Sequence, residues 1–324
     1  LSLLEIKDED FMPYTDASYK LSIRFENFYK KEDGGFHYPF GRTFEKNLSW
    51  GKQNWFVKKY FNKKITNNNY ANFINPNMSL VNNNRIFKNK NNELINFDFK
   101  NDTAYHFDAI KFGIWLKDNY CIPKGVKHIV EDITKIKTNA EGIVSLNKYK
   151  ADLYFDCTGF KSLLMNKIGA EFKDYSDLLP NNKAWATRVP YKNKEKQLEP
   201  FTNCTAIENG WVWNIPSWER IGTGYVYSDK YVSDKKALEE FKKHLDSKKH
   251  DYNKSTFKNI KMRVGRFDEI FYKNVCSIGL AAGFIEPLES NGLLSVHEFL
   301  INLLEVLERH DNITQYDKDS FNLK

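Results

Sequence analysis

Residues 18–25 alternate without a break. Tyr19, Leu21, Ile23 and Phe25 lie on one side, and Ser18, Lys20, Ser22 and Arg24 on the other. A period of two is the mark of a strand with one buried face, and on spacing alone it turns Lys20 toward water. Further strands are predicted at 184–189, 205–207, 211–216 and 223–227, which read as a second sheet. Trp211 and Trp213, two apart, share one face there, and 223–227 folds back across the turn at 218–222. Strands are also expected at 128–137 and 143–146, around a turn at 139–142. One more is expected where Ile260, Met262 and Val264 alternate with Lys261, Arg263 and Gly265. Helical spacing appears after Asp108, with Ala109, Phe112, Gly113 and Leu116 on one face. It appears again after Ser233, with Ala237, Leu238, Phe241 and Leu245. Both leading residues are natural N-caps. Leu3, Leu4, Phe11 and Met12 suggest a helix near the start.

Two stretches read as strand, turn and helix in succession. Residues 151–160 predict a buried strand that ends in a polar-glycine turn, with a helix from about Lys161. Residues 276–292 run from an apolar strand through small residues to Glu286 and Glu289, on either side of Pro287. A long helix follows from Asn291 or Gly292, its stripe made of Leu293, Val296, Leu300, Leu303, Leu304 and Leu307. The amino end of such a helix offers free N–H groups and a positive dipole end to an anion. These junctions are common in α/β folds, so neither alone assigns a function. Between the ordered stretches, residues 62–101 are rich in asparagine and lysine, which favours irregular structure; no role is assigned to them.

Composition narrows the class. The chain has 324 residues, 41% hydrophobic and 15% aromatic, enough for a sizeable core in one large domain or two modest ones. The net charge of +7 comes from scattered lysines rather than a massed basic face, so nucleic acid is not an expected partner. Cys121, Cys157, Cys204 and Cys276 have neither C-x-x-C nor zinc spacing, so no metal site is expected. Cys157 and Cys276 sit in apolar runs, as buried free thiols do, and a reducing cytoplasm is the expected location. No run of eighteen apolar residues offers a membrane span.

Five stretches together resemble the flavin-dependent tryptophan halogenases: Ala17-Ser-Tyr-Lys20, Phe155-Asp-Cys-Thr-Gly-Phe160, Trp211-Val-Trp-Asn-Ile-Pro216, Gly222-Thr-Gly-Tyr-Val-Tyr-Ser228 and Gly283-Phe-Ile-Glu-Pro-Leu-Glu-Ser290. The resemblance implies an α/β fold with a flavin-binding domain like that of FAD-dependent monooxygenases and an added mixed or antiparallel sheet on the substrate side. It runs through residues 1–324 as a single domain, with 62–101 as an irregular insertion. It further implies that reduced FAD, oxygen and a halide ion, chloride or bromide, yield hypohalous acid, which reaches an indole-like aromatic substrate through a tunnel. Lys20 matches the relay lysine and Glu289 the carboxylate beside it. Ser290, Gly283, Asp156 and Gly159 match positions near the flavin. Asn291 and Gly292 match the halide site, where threonine is usual in place of Asn291. Tyr38 stands where the family has a substrate-platform histidine, and Phe40 keeps its phenylalanine.

The resemblance also implies a separate flavin reductase as partner, and a homodimer is one open assembly. The family's glycine-rich dinucleotide turn and most of its carboxy-terminal helical region have no counterpart here. The chain is therefore expected to be a fragment that binds FAD poorly. Two other readings stay open: a flavin-dependent aromatic monooxygenase, which would need no relay lysine, and a non-catalytic remnant.

Overall fold

The computed structural model describes residues 1, 4–31, 34–41, 48–84, 98–288, 290, 292–309 and 312–323, with only the backbone at 48–54 and 99–100. The described chain forms two compact units. The first comprises Leu1–His128, Ala184–Tyr227 and Tyr231–Ile260, and the second Ile129–Lys183, Ser228–Lys230 and Lys261–Lys324.

The first unit is built on a seven-stranded sheet, ordered Lys258–Lys261, Lys183–Val189, Ile221–Tyr227, Gly210–Pro216, Phe201–Ile207, Ser22–Glu26 and Gly35–Pro39. The three strands from Phe201 to Tyr227 form an antiparallel meander, as the local alternation and turns require. Strand Ser22–Glu26 joins it in parallel beside Phe201–Ile207, a long-range pairing. One face is closed by helix Asp234–Ser247, whose Ala237, Phe241 and Leu245 pack on Val212, Tyr225 and Tyr227. Ser233 caps this helix by accepting from the Lys236 amide. In the same unit, Asp108 caps helix Ala109–Leu116 by accepting from the amides of Ile110 and Lys111 at 3.0 and 3.2 Å.

The strand expected at 18–25 is two strands. Ser18–Lys20 pairs with Ala104–His106 in a separate small sheet, with Lys20 opposite Ala104. Leu21 is the switch point: its amide donates to the Pro200 carbonyl at 2.7 Å, and its carbonyl accepts from the Phe40 amide at 2.8 Å. Because the chain changes sheets here, both faces are covered. Lys20 is 5% exposed, Leu21 and Ser22 are fully buried, and Ile23 is 1% exposed. The solvent-facing Lys20 that period two implies is thereby corrected.

The second unit has two three-stranded sheets. In one, Val275–Ser277 runs parallel to Tyr154–Asp156, with Phe271–Tyr272 on its other side. In the other, Gly265–Phe267 lies between Phe172–Asp174 and Gly283–Phe284. Phe267, Phe271, Cys276, Leu303, Val306 and Phe321 are among the residues of its core.

Several expectations are corrected. Residues 128–135 form no strand, and the hairpin is Ile136–Asn139 with Gly142–Leu146; residues 262–264 are likewise outside strands. The opening helix is one turn, Asp8–Phe11. The asparagine-rich stretch holds the helices Tyr70–Ile74 and Met78–Asn82. Cys157 is exposed. Helix Gly292–Arg309 buries Leu303 and Val306, while Leu293, Leu300, Leu304 and Leu307 of the expected stripe are 40–57% exposed. A helix with apolar residues on both sides does not reveal from spacing which side packs. Among the described residues no helix is long and apolar enough to cross a membrane.

Candidate functional site

In the first unit the candidate chemistry centres on Lys20. Its ammonium lies 5.1 Å from the centre of the Phe40 ring. Burial lowers its pKa to about 8, opposed by the nearby Cys204. Cys204, 1% exposed, is on strand Phe201–Ile207, and burial pushes its thiol up to about 12. His106, on the strand paired with Ser18–Lys20, is 4% exposed. Burial lowers it to about 3, with Lys20 adding to the effect, so it is neutral. Its Nδ1–H donates to the Pro216 carbonyl at 3.0 Å, and its Nε2 accepts from the Thr202 hydroxyl at 2.9 Å, a tautomer assigned by those partners.

The same carbonyl accepts from the Ser18 hydroxyl at 2.8 Å. One backbone oxygen therefore joins the end of Trp211–Pro216 to the Ala17–Lys20 stretch, nearly two hundred residues away. Asp16 adds a second tie: its carboxylate accepts from the Ser217 hydroxyl at 2.8 Å and from the Glu219 amide. Tyr38 is 62% exposed on strand Gly35–Pro39, opposite Ile23, and Phe40 is half-buried just beyond it. The structure brings Lys20 and Phe40 together and leaves the Tyr38 ring open to solvent. A cavity of ≈ 1110 Å³ beside strand Ser18–Lys20 is lined by Ala17, Ser18, Tyr19, Glu199 and Trp218 among others, but not by Lys20, Tyr38 or Phe40. It is not this site.

Trp211 and Trp213 share a face as expected, their ring centres 6.2 Å apart. Trp211 is buried, while the benzo edge of Trp213 lies over Gly224 on the next strand, where a Cβ would fall 2.2 Å from the ring.

In the second unit Asp156 is fully buried at the end of its strand. One carboxylate oxygen accepts from the Thr158 amide and hydroxyl at 3.0 and 2.7 Å. The other accepts from the amides of Leu164 and Met165 at 2.7 and 3.1 Å. This carboxylate holds the start of helix Leu163–Lys167, so its side chain is committed within the protein. Gly159 has a φ of +65° and no atom within 4 Å of where a side chain would begin. That open backbone suits the close approach of a flat ligand. Gly283 is closed in: a Cβ there would meet the Gly265 carbonyl and the Arg266 side chain at 2.7 Å, so its glycine serves strand packing. Ser290 adopts a φ of +59°, and its amide donates to the Pro287 carbonyl at 3.0 Å. Gly292 opens helix Gly292–Arg309 with free space beside its Cα. Glu289 and Asn291 lie outside the described residues. For a flavin and a halide, Gly159 and Gly292 fit as unobstructed backbone, whereas the side chain of Asp156 and the amide of Ser290 are already engaged.

The sequence did not place His106, Cys204 and Thr202 around Lys20. A three-residue strand carries no period from which His106 could be read, and Cys204 and Thr202 fall within or beside an ordinary alternating strand.

A mixed α/β chain that places a buried lysine beside a mixed, largely antiparallel sheet with paired tryptophans has the architecture of a flavin-dependent halogenase. The tryptophan halogenase family model matches residues 1–324, and the chain belongs to that family. It is 31% identical over 326 residues to the 7-chloro-L-tryptophan 6-halogenase KtzR of Kutzneria sp. (strain 744), covering 93% of this chain and 61% of that protein. Among solved structures, that of VirX1 superposes with a TM-score of 0.89 at 41% identity, over 100% of this chain and 64% of VirX1. Tryptophan 6-halogenase SttH of Streptomyces toxytricini gives a TM-score of 0.85 at 29% identity, over 99% of this chain and 64% of SttH. The chain thus spans less than two thirds of the length of these relatives.

Proposed function

We propose that the protein containing this chain is a flavin-dependent halogenase acting on an indole-like aromatic ring, with Lys20 as the relay residue. The observation that carries the reading is the buried Lys20 ammonium, its pKa lowered to about 8, inside the family stretch Ala17–Lys20. When bound, reduced FAD would supply the electrons that turn oxygen and halide into hypohalous acid. Gly159 and Gly292 would offer backbone to the flavin and the halide. Asp156, Gly283 and Ser290 would shape the flavin-side backbone rather than contact the flavin through their side chains. Asn291 would complete the halide site.

Because burial lowers the Lys20 pKa toward neutrality, both the ammonium and the free amine are accessible to it. The ammonium can hydrogen-bond the oxidant, and the amine can take up the halogen and pass it on. A hydroxylating monooxygenase has no use for such a residue, which favours halogenation over that alternative. Glu289 is proposed as the carboxylate that orients the oxidant or accepts the ring proton. Tyr38 and Phe40 are proposed as walls of the substrate platform, and a separate reductase as the source of reduced flavin. Tryptophan is the first substrate to test, because the relatives' names specify it. With Tyr38 on the platform in place of histidine, other indoles and phenols belong in the same screen.

The test uses the full-length protein with reduced flavin, oxygen and bromide. Lys20→Ala should abolish ring halogenation while flavin oxidation continues. Undiminished halogenation would overturn the relay role. Glu289→Gln should slow halogenation strongly with flavin binding little changed, and loss of flavin binding instead would make that residue structural.

A further inference from the structure

We infer that Phe40 is a positioning residue for Lys20: its ring, carried on a backbone that two buried asparagines fasten, holds the lysine ammonium. The proposal rests on the reading of Lys20 as the relay residue, but its test does not depend on it.

Three observations carry it. The Lys20 nitrogen sits 5.1 Å from the Phe40 ring centre, within the range of a cation–π contact, and the site is nearly dry. The Phe40 backbone is fastened on both sides. Its amide donates to the Leu21 carbonyl at 2.8 Å, one residue from Lys20. Its carbonyl accepts from the side-chain amides of Asn75 and Asn77 at 3.1 and 3.0 Å. Both asparagines are 2% exposed. Asn77 also donates to the Asp102 carbonyl at 2.8 Å, two residues before Ala104, the strand partner of Lys20. The residue after Phe40 is equally constrained: Gly41 has a φ of +81°, and a Cβ there would lie 2.7 Å from the Asp102 Cα. One short circuit of hydrogen bonds thus sets ring and ammonium in the same frame. Two asparagines from the stretch that composition marked as irregular form part of that circuit.

Among the described residues, the titratable groups that act on Lys20 include Cys204 from strand Phe201–Ile207, a protonated thiol, and His106 from strand Ala104–His106, a neutral ring. The Phe40 ring quadrupole adds to what keeps the lysine protonated.

The experiment follows the Lys20 side chain directly. In the full-length protein with ¹³C-labelled lysine, its Cε resonance is assigned by its absence in Lys20→Arg and titrated in the parent, in Phe40→Leu and in Phe40→Tyr. Loss of the ring should lower the proton affinity of Lys20 about 3- to 30-fold, about 0.5 to 1.5 pH units, with Phe40→Tyr close to the parent. Pentafluorophenylalanine at position 40 keeps the shape and removes the negative ring face, so it should reproduce the Phe40→Leu shift even if that variant folds poorly. Unchanged titration with the fluorinated ring would overturn the proposal. The measurement needs no flavin, halide or substrate. If Lys20→Ala retained halogenation while the fluorinated ring still shifted the titration, the relay reading would fail and the pairing would stand.

Discussion

Two of the stretches that carried the family resemblance meet at Gly224, and the meeting can be tested. Strand Gly210–Pro216 pairs with Ile221–Tyr227 so that Trp213 faces Gly224. A Cβ on Gly224 would lie 2.2 and 2.3 Å from two carbons of the Trp213 benzo ring and 2.6 Å from the Trp185 carbonyl on the neighbouring strand. Ordinary contact begins at 3.4 Å, so Gly224→Ala demands that the ring or a strand retreat by more than 1 Å. Overpacking of this kind costs about 1–3 kcal/mol. The alanine recovers about 0.4–1 kcal/mol by restricting the unfolded chain, because Gly224 is not in the left-handed region. A net loss of about 1–2 kcal/mol lowers the melting temperature of a unit this size by about 2–8 °C.

The assay is a double-mutant cycle by thermal and urea melts of the full-length protein. In a Trp213→Leu background the ring is gone and only the Trp185 carbonyl opposes the new methyl. Gly224→Ala should then cost less, with a coupling of about 1 kcal/mol. Equal costs in the two backgrounds would refute the idea that the tryptophan dictates the glycine, and a fully stable Gly224→Ala would refute the packing itself.

Two more outcomes follow from buried charge. Arg220 donates to Asp108 at 2.6 Å and lies 3.7 Å from Asp16, whose side chains are 6% and 1% exposed. Arg220→Met should cost about 3 kcal/mol in a urea melt by leaving two carboxylates under-compensated, with Arg188 near Asp108 offsetting part of it; a loss below about 1 kcal/mol would refute this. Stability should also fall with acid. Burial lowers His37 and His244 to about 4 and His106 to about 3, so below about pH 6.5 the unfolded chain binds protons that the folded chain refuses. Glu199, raised to about 7 by burial, works the other way, because the folded chain takes up its proton first. Burial lowers His250 as well, so four histidines against one carboxyl leave at least two protons bound on unfolding, about 1.4 kcal/mol per pH unit for each. Melts at pH 6.5 and 5 check the sign, and equal stability at both would contradict it.

The meander from Phe201 to Tyr227 and the capped helices at Asp108 and Ser233 were legible because their signals are local: alternation, turn residues and a capping side chain. The split at Leu21 was not. The alternation of 18–25 continues through the change of sheet, since both sheets require the same period, and only a long-range pairing with Phe201–Ile207 distinguishes one strand from two. Asn75 and Asn77 were hidden for the opposite reason. They sit in a stretch whose composition favours loops, and nothing in it separates an asparagine that clamps a carbonyl from one that faces water. Helix Gly292–Arg309 was placed correctly, but its buried side was not, because leucines and isoleucines cover most of its circumference. The roles of Lys20, Glu289 and the halide-side residues came from the family resemblance, since spacing alone would have sent Lys20 to the surface.

What sets the Lys20 environment is therefore distributed over the sheet switch. The lysine is dry because the chain crosses from the small sheet to the large one immediately after it, and covering both faces at that crossing takes Pro200, Phe40 and the strand Ala104–His106 together. The Pro216 carbonyl receives Ser18 and His106 at once, so the end of the tryptophan-bearing strand fixes the lysine strand from the side opposite the switch. This accounts physically for two motifs nearly two hundred residues apart belonging to one signature: the Trp-x-Trp-x-Ile-Pro strand is the wall against which the Lys20 strand is built.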